Sequence, residues 1–132
     1  MSVQKLNELK ILIVDDFELP RRMVRNMLYE LGCDNHENLT EATDGLKAFE
    51  VLENRRIDLI ICDWIMPNMT GIELLKKVRA TEALAKIPFI MVTAETEKEH
   101  IMEAIKAGVS QYVVKPFTTE VLCGKIKSAL KL

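Results

Sequence analysis

Two hydrophobic periods alternate along this chain, and the alternation restricts the fold more than any other feature. Short continuous apolar runs rich in β-branched residues stand at Ile11–Val14, 57–62, 89–92 and 112–114, with a weaker one at Leu39–Ala42. Runs of this length and character suit strands buried on both faces of a parallel sheet. Between them, apolar residues recur three and four apart: Leu19, Met23, Val24, Met27, Leu28 and Leu31 in the first stretch, then Leu46, Phe49 and Leu52, then Ile72, Leu74, Leu75 and Val78. Ile101, Ala104 and Ile105, and finally Val121, Leu122, Ile126, Ala129 and Leu130, repeat the pattern. That spacing predicts helices with one buried face. Gly32 and Gly108 stand where a left-handed residue can end a helix. Asp44 stands where it can cap one, and Pro67 and Gly71 punctuate a loop.

Strand–helix units repeated five times predict an α/β fold with a parallel sheet covered on both faces. Right-handed crossovers leave few arrangements. The commonest is the flavodoxin-like doubly wound (βα)5 fold, with strand order 2-1-3-4-5. The units occupy residues 1–132, so one domain with no separate DNA-binding or catalytic output domain is expected. A net charge of −2 offers no basic field for nucleic acid. No apolar stretch approaches the roughly 20 residues of a membrane span, and residues 1–8 lack the apolar core of a signal peptide. Cys33, Cys62 and Cys123 are odd in number and widely spaced, which fits reduced thiols and a cytoplasmic location better than disulfides or a zinc site.

The candidate chemistry lies at the strand ends. Asp15 and Asp16 follow the first strand, Asp63 the third, Thr93 the fourth and Lys115 the fifth. In the order 2-1-3-4-5, strands 1 and 3 are neighbours at the topological switch point, where open α/β sheets bind ligands. Carboxylates gathered there repel one another and are costly to desolvate, so they point to a site for a hard cation. Three carboxylates against one ammonium leave two negative charges, the charge that one divalent ion balances. A shallow, wet rim of oxygen donors favours Mg²⁺ over a tight Ca²⁺ cage. A metal, an ammonium and a hydroxyl together suit a phosphoryl group, with Asp63 as its nucleophile. Singly, each residue has a plainer reading: a strand-end Asp caps a helix or turn, and a lysine is a solvated charge. Four such coincidences on one rim weigh against that reading.

Five stretches then resemble the receiver domain of two-component response regulators, and within it the single-domain chemotaxis members. They are Val14-Asp15-Asp16-Phe17, residues 21–28, Asp63-Trp64-Ile65-Met66-Pro67-Asn68-Met69, Met91-Val92-Thr93-Ala94-Glu95, and residues 108–117 with Tyr112, Lys115 and Pro116. The resemblance implies that Asp63 accepts phosphate from a histidine kinase of the chemotaxis type. It implies that Asp16 and Asp63 bind Mg²⁺ directly, Asp15 largely through water, and Ile65 through its backbone carbonyl. Thr93 and Lys115 would bond phosphoryl oxygens, and Tyr112 would be the switch aromatic. Glu95 matches the acid expected two residues after Thr93. Pro116 would follow a cis peptide. Signalling would pass through the face of helix 4, strand 5 and helix 5 to the flagellar motor switch protein or another protein target, with a phosphatase as a further partner. A monomer with self-catalysed phosphotransfer and dephosphorylation, not an enzyme in the ordinary sense, is expected.

The chain departs from the chemotaxis members at Ile65, where they usually carry Asn. A backbone ligand survives that change, but the side chain borders the path of water to the phosphoryl group. Ile65 is therefore expected to modulate phosphate lifetime, more in the direction of lengthening it. Residues 96–100 are acidic, which suits a helix dipole and leaves the motor as target less secure. A phosphate sink, or another single-domain relay that does not bind the motor, is the alternative. His100 is expected at the surface, and Trp64 as a partly exposed neighbour of Asp63. A flavin carrier of the same topology would need a phosphate loop after strand 1, where Asp15-Asp16-Phe17-Glu18 repels phosphate. An aspartyl phosphohydrolase would need a second Asp at the position of Ile65.

Overall fold

A computed structural model of the protein describes residues 7–94 and 96–131. Five strands, β1 (Ile11–Val14), β2 (Leu39–Ala42), β3 (Leu59–Asp63), β4 (Phe89–Thr93) and β5 (Gln111–Val114), form one parallel sheet in the order β2-β1-β3-β4-β5. The helices between and after them are α1 (Glu18–Glu30), α2 (Gly45–Asn54), α3 (Gly71–Ala80), α4 (Lys98–Ala107) and α5 (Thr119–Leu130). The flavodoxin-like doubly wound order expected from the alternation is the order observed.

Alternate residues of the central strands feed two cores, as the pleat requires. Leu12, Ile60, Phe89 and Met91 face the core covered by α2, α3 and α4. Ile11, Leu59, Ile61, Ile90 and Val92 face the one covered by α1 and α5. Both faces are dry, which is why β1, β3 and β4 read as unbroken apolar runs.

Helix ends carry their own signals. Asp44 caps α2, its Oδ1 accepting from the Lys47 N–H at 2.8 Å. Gly32 and Gly108 both take positive φ (93° and 95°) after α1 and α4. Gly71 does not sit in a loop as the sequence suggested. It is the first residue of α3, behind a capping box in which Thr70 and Glu73 satisfy one another's backbone N–H groups. It must be glycine because a Cβ there would collide with the Asp63 carbonyl oxygen and the Met91 sulfur. The start of α3 is thereby pressed against the end of β3.

The α1 stripe was read as core along its whole length, but only Val24 and Leu28 are buried. Leu19 and Met23, near the strand-end rim, are exposed, as are Leu46, Ile105 and Val121 on other helices.

Candidate functional site

Register brings the strand ends level. Val14 pairs with Cys62, Asp63 with Val92, and Thr93 with Val114. Asp15 and Asp16 directly follow β1, and Asp63 is the last residue of β3, one position later than the sequence reading ended that strand. One carboxylate oxygen from each of the three lies within 4.8 Å of the others. Lys115, just after β5, spans two of them: its Nζ is 3.3 Å from Asp15 Oδ2 and 3.3 Å from Asp63 Oδ1.

The cluster is partly removed from water. Asp15 is 5% exposed, and the Asp63 side chain 14%. Asp15 Oδ1 also accepts from the Phe17 N–H at 3.1 Å, which holds the turn after β1. Burial raises the pKa of Asp63 above the ordinary carboxyl value, and the Asp15 charge adds to that, against the opposing pull of Lys115. Asp16 Oδ1 is buried and has no hydrogen-bond partner. An orphaned carboxylate oxygen in a wet medium would be unremarkable, but a buried one is costly. Together with two further carboxylates in reach, it gives the donor set of a hard divalent cation, all oxygen and doubly negative after Lys115 is counted. The residues present fit such an ion.

The other sequence-derived candidates fall around this cluster. Thr93 ends β4, is 1% exposed, and its carbonyl accepts from the Lys115 N–H at 2.8 Å. Ile65 follows two residues after Asp63 with its side chain 63% exposed. The Lys115–Pro116 peptide is cis. Tyr112 lies within β5, half-buried, with its ring centroid 6.4 Å from that of Trp64 in an edge-to-face arrangement. Glu95 lies outside the described residues.

One expectation is corrected. Trp64 is buried, not partly exposed. The His100 ring meets it edge-on at 5.6 Å between centroids, while the His100 side chain stays partly solvated, at the surface as expected.

Sequence reasoning also missed a brace. Arg21 Nη1 donates to the Asp15 backbone carbonyl at 2.7 Å, while Arg21 Nε and Arg25 Nη1 both hold Glu41 of β2 (3.0 and 2.6 Å). On the other side of the rim, Asn68 Nδ2 donates to Asp44 Oδ2 at 3.1 Å and ties the loop after β3 to the α2 cap. Asn68 takes a positive φ (67°), which Asn tolerates better than most residues.

Fold and rim together define a receiver domain. The family model described as "Response regulator receiver domain" matches residues 11–127, and the chain belongs to that family. More particularly, it is 50% identical over 119 residues to "Chemotaxis protein CheY" of Pseudomonas aeruginosa, covering 90% of this chain and 94% of that protein. It is 49% identical over 118 residues to "Chemotaxis protein CheY-3" of Vibrio cholerae, covering 89% and 88%. Among solved structures, the chemotaxis response regulator CheY4 of Vibrio cholerae superposes with a TM-score of 0.82 at 35% identity, covering 92% of this chain and 98% of that one. The receiver domain of a sensor histidine kinase from Pseudomonas aeruginosa, described with a magnesium ion coordinated in its active-site cleft, gives a TM-score of 0.80 at 27% identity, covering 92% and 97%. The protein is thus a receiver domain of a CheY-like response regulator in two-component signalling.

Proposed function

We propose that the protein is a phosphorylation-switched signalling module in which Asp63 takes one phosphoryl group from a phosphohistidine of a chemotaxis-type histidine kinase. The observation that carries this reading is the meeting of Asp15, Asp16 and Asp63 within 4.8 Å, with Lys115 spanning Asp15 and Asp63. In the transfer, the P–N bond to the kinase imidazole breaks, its electron pair returns to nitrogen, and an Asp63 oxygen bonds to phosphorus. Hydrolysis then breaks the new P–O bond, releasing inorganic phosphate and restoring the carboxylate. Asp15, Asp16 and Asp63, with the Ile65 carbonyl, would hold Mg²⁺, which neutralises charge on the acceptor and phosphoryl oxygens. Lys115 supplies a positive charge already seated at the acceptor, and Thr93 a hydroxyl from the end of the next strand.

The phosphoryl group brings about two negative charges and new acceptor oxygens. It acts on the equilibrium between resting and active arrangements only through the difference in its contacts in the two. Thr93 ends β4 and Lys115 directly follows β5, beside the face of α4, β5 and α5. That face exposes Met102, Ile105, Val114 and Val121, an apolar surface fit for a protein target. The relatives are chemotaxis proteins by name, and the target we propose within such a pathway is the flagellar motor switch.

The test is intact mass after acetyl phosphate and Mg²⁺. One added phosphoryl group is expected on the parent and none on Asp63→Asn. An unchanged parent mass, under conditions that label a control receiver, counts against the reading. Labelling that stops at one equivalent, without turnover of a generic phosphate ester, agrees with a switch and not a phosphohydrolase. Capture of motor switch protein with and without phosphorylation separates a motor effector from a phosphate sink.

A further inference from the structure

Beneath the rim, on the α1 side of the sheet, lies a cavity of about 190 Å³ whose apolar part the phosphoryl chemistry does not use. Met23, Val24 and Met27 of α1 form one wall, Ile61 and Val92 the floor, and Phe117 closes the far side. At its mouth stand three charged residues, Asp15, Asp63 and Lys115. An apolar cavity of ~150 Å³ suffices to hold a benzene ring. This one has room for a phenyl ring and a short alkyl arm that reaches the mouth.

The mouth selects the head group. Asp15 and Asp63 carry two negative charges against the single ammonium of Lys115, and Asp16 adds a third carboxylate within 4.8 Å of both. An anion meets net repulsion there, and a neutral hydroxyl can donate to a carboxylate but balances none of its charge. A primary ammonium gains both charge balance and acceptor oxygens. We propose that this cavity binds small arylalkyl amines, the ring lodged between α1 and the sheet and the ammonium on the Asp15 and Asp63 carboxylates. A ligand so placed competes with a divalent cation for the same oxygens, and gives the site a small-molecule input that acts without phosphate.

The test uses the metal-free full chain with methyl-labelled methionine, read by NMR at Met23 and Met27. Phenethylamine is expected to shift these methyls saturably, at least tenfold tighter than phenylacetate or 2-phenylethanol. Val24→Phe fills the cavity from its wall and should weaken the amine at least tenfold, its methyl dispersion reporting whether the fold is kept. The ligand series on the unmodified chain decides the matter if that variant fails to fold. No saturable methyl shift, or an acid or alcohol that binds as tightly as the amine, overturns the proposal. In a second arm, Mg²⁺ is titrated against the fluorescence of Trp64, which neighbours Asp63, and phenethylamine should raise the apparent Mg²⁺ dissociation constant. Absence of any Mg²⁺ response would count against the metal reading alone, since the methyl shifts do not depend on it. A Mg²⁺ response unchanged by saturating amine would overturn the competition and with it the placement of the ammonium.

Discussion

Replacing Asp63 by Asn should make the metal-free protein more stable, although it removes the residue on which signalling is proposed to depend. Asp63 has an oxygen within 4.8 Å of one on Asp15 and one on Asp16. At an effective dielectric of 20, each repulsion is worth about 3.5 kcal/mol. The attraction to Lys115 at 3.3 Å returns about 5 kcal/mol on the same scale. The balance is unfavourable by about 2 kcal/mol before desolvation is added. Asn keeps the shape and one acceptor, so Asp63→Asn should gain roughly 2 kcal/mol at pH 7 in EDTA, or roughly 6–10 °C in Tm for a domain of this size. The pH dependence has a definite sign. The Asp63 pKa is raised in the folded protein above its ordinary value of 3.8. Between that value and the raised one the folded state holds more protons than the unfolded state, so parent stability falls as pH rises through the window. The advantage of Asn is therefore full above the raised pKa and disappears below pH 3.8. Mg²⁺ at about 100 times its dissociation constant should return ~2.7 kcal/mol to the parent, and less to the variant. Urea denaturation at pH 7 and pH 3.5, with and without Mg²⁺, measures all of this. A variant less stable than the parent at pH 7 in EDTA, or an advantage that grows toward acid, would refute the reasoning.

Asp44→Ala should cost about 1–2 kcal/mol at pH 7 through loss of the α2 cap, with Asp44→Asn much milder. Backbone hydrogen bonding from Lys47 lowers the Asp44 pKa below 3.8, so this contribution is present above that pH and fades as pH falls through the lowered value, which urea titrations at pH 7 and pH 2.5 would show. Gly71→Ala drives a Cβ into the Asp63 carbonyl and should cost about 1–3 kcal/mol, with slower labelling by acetyl phosphate because the end of β3 must shift. Ile65→Asn, at an exposed position, should change stability by less than about 0.5 kcal/mol yet speed loss of phosphate from Asp63. Equal dephosphorylation rates by mass spectrometry would remove the role given to Ile65.

The sheet was legible because parallel strands buried on both faces leave no alternation to hide: β1, β3 and β4 are apolar at nearly every position. The acid cluster was legible because strand order alone puts the ends of β1 and β3 side by side. What escaped was whatever depends on side chains reaching backbone or crossing loops. No spacing rule announces that Arg21 will bond the Asp15 carbonyl, or that Asn68 will meet Asp44 across 24 residues. The α1 stripe misled for a related reason. Helical spacing shows which residues share a face but not where the covering element stops, so Leu19 and Met23 look like core and stand at the rim. Trp64 was expected partly exposed as the neighbour of Asp63, yet just past the end of β3 its ring packs edge-on against those of Tyr112 and His100.

The costs of this rim follow from the chemistry proposed for it. Three carboxylates could have been spread, or one replaced by an amide, and the fold would gain stability. Natural sequences accept such local conflicts where function requires them. The sheet can tolerate this one because its central strands are buried on both faces, and the core under α2, α3 and α4 includes Phe89, Ile60 and Leu74 at zero exposure. The conflict also sets the direction of the response. A site with excess negative charge and a buried unpaired Asp16 oxygen would be relieved by a divalent cation, and on the proposed function that cation would make room for the charge a phosphoryl group adds. Lys115 sits at the centre of both changes. It is bonded to Asp15 and Asp63 in the resting state, and its backbone N–H is held by Thr93 on the adjacent strand. On the proposed function, a rearrangement of charge at Asp63 would therefore be registered at the ends of β4 and β5, beside the face of α4, β5 and α5.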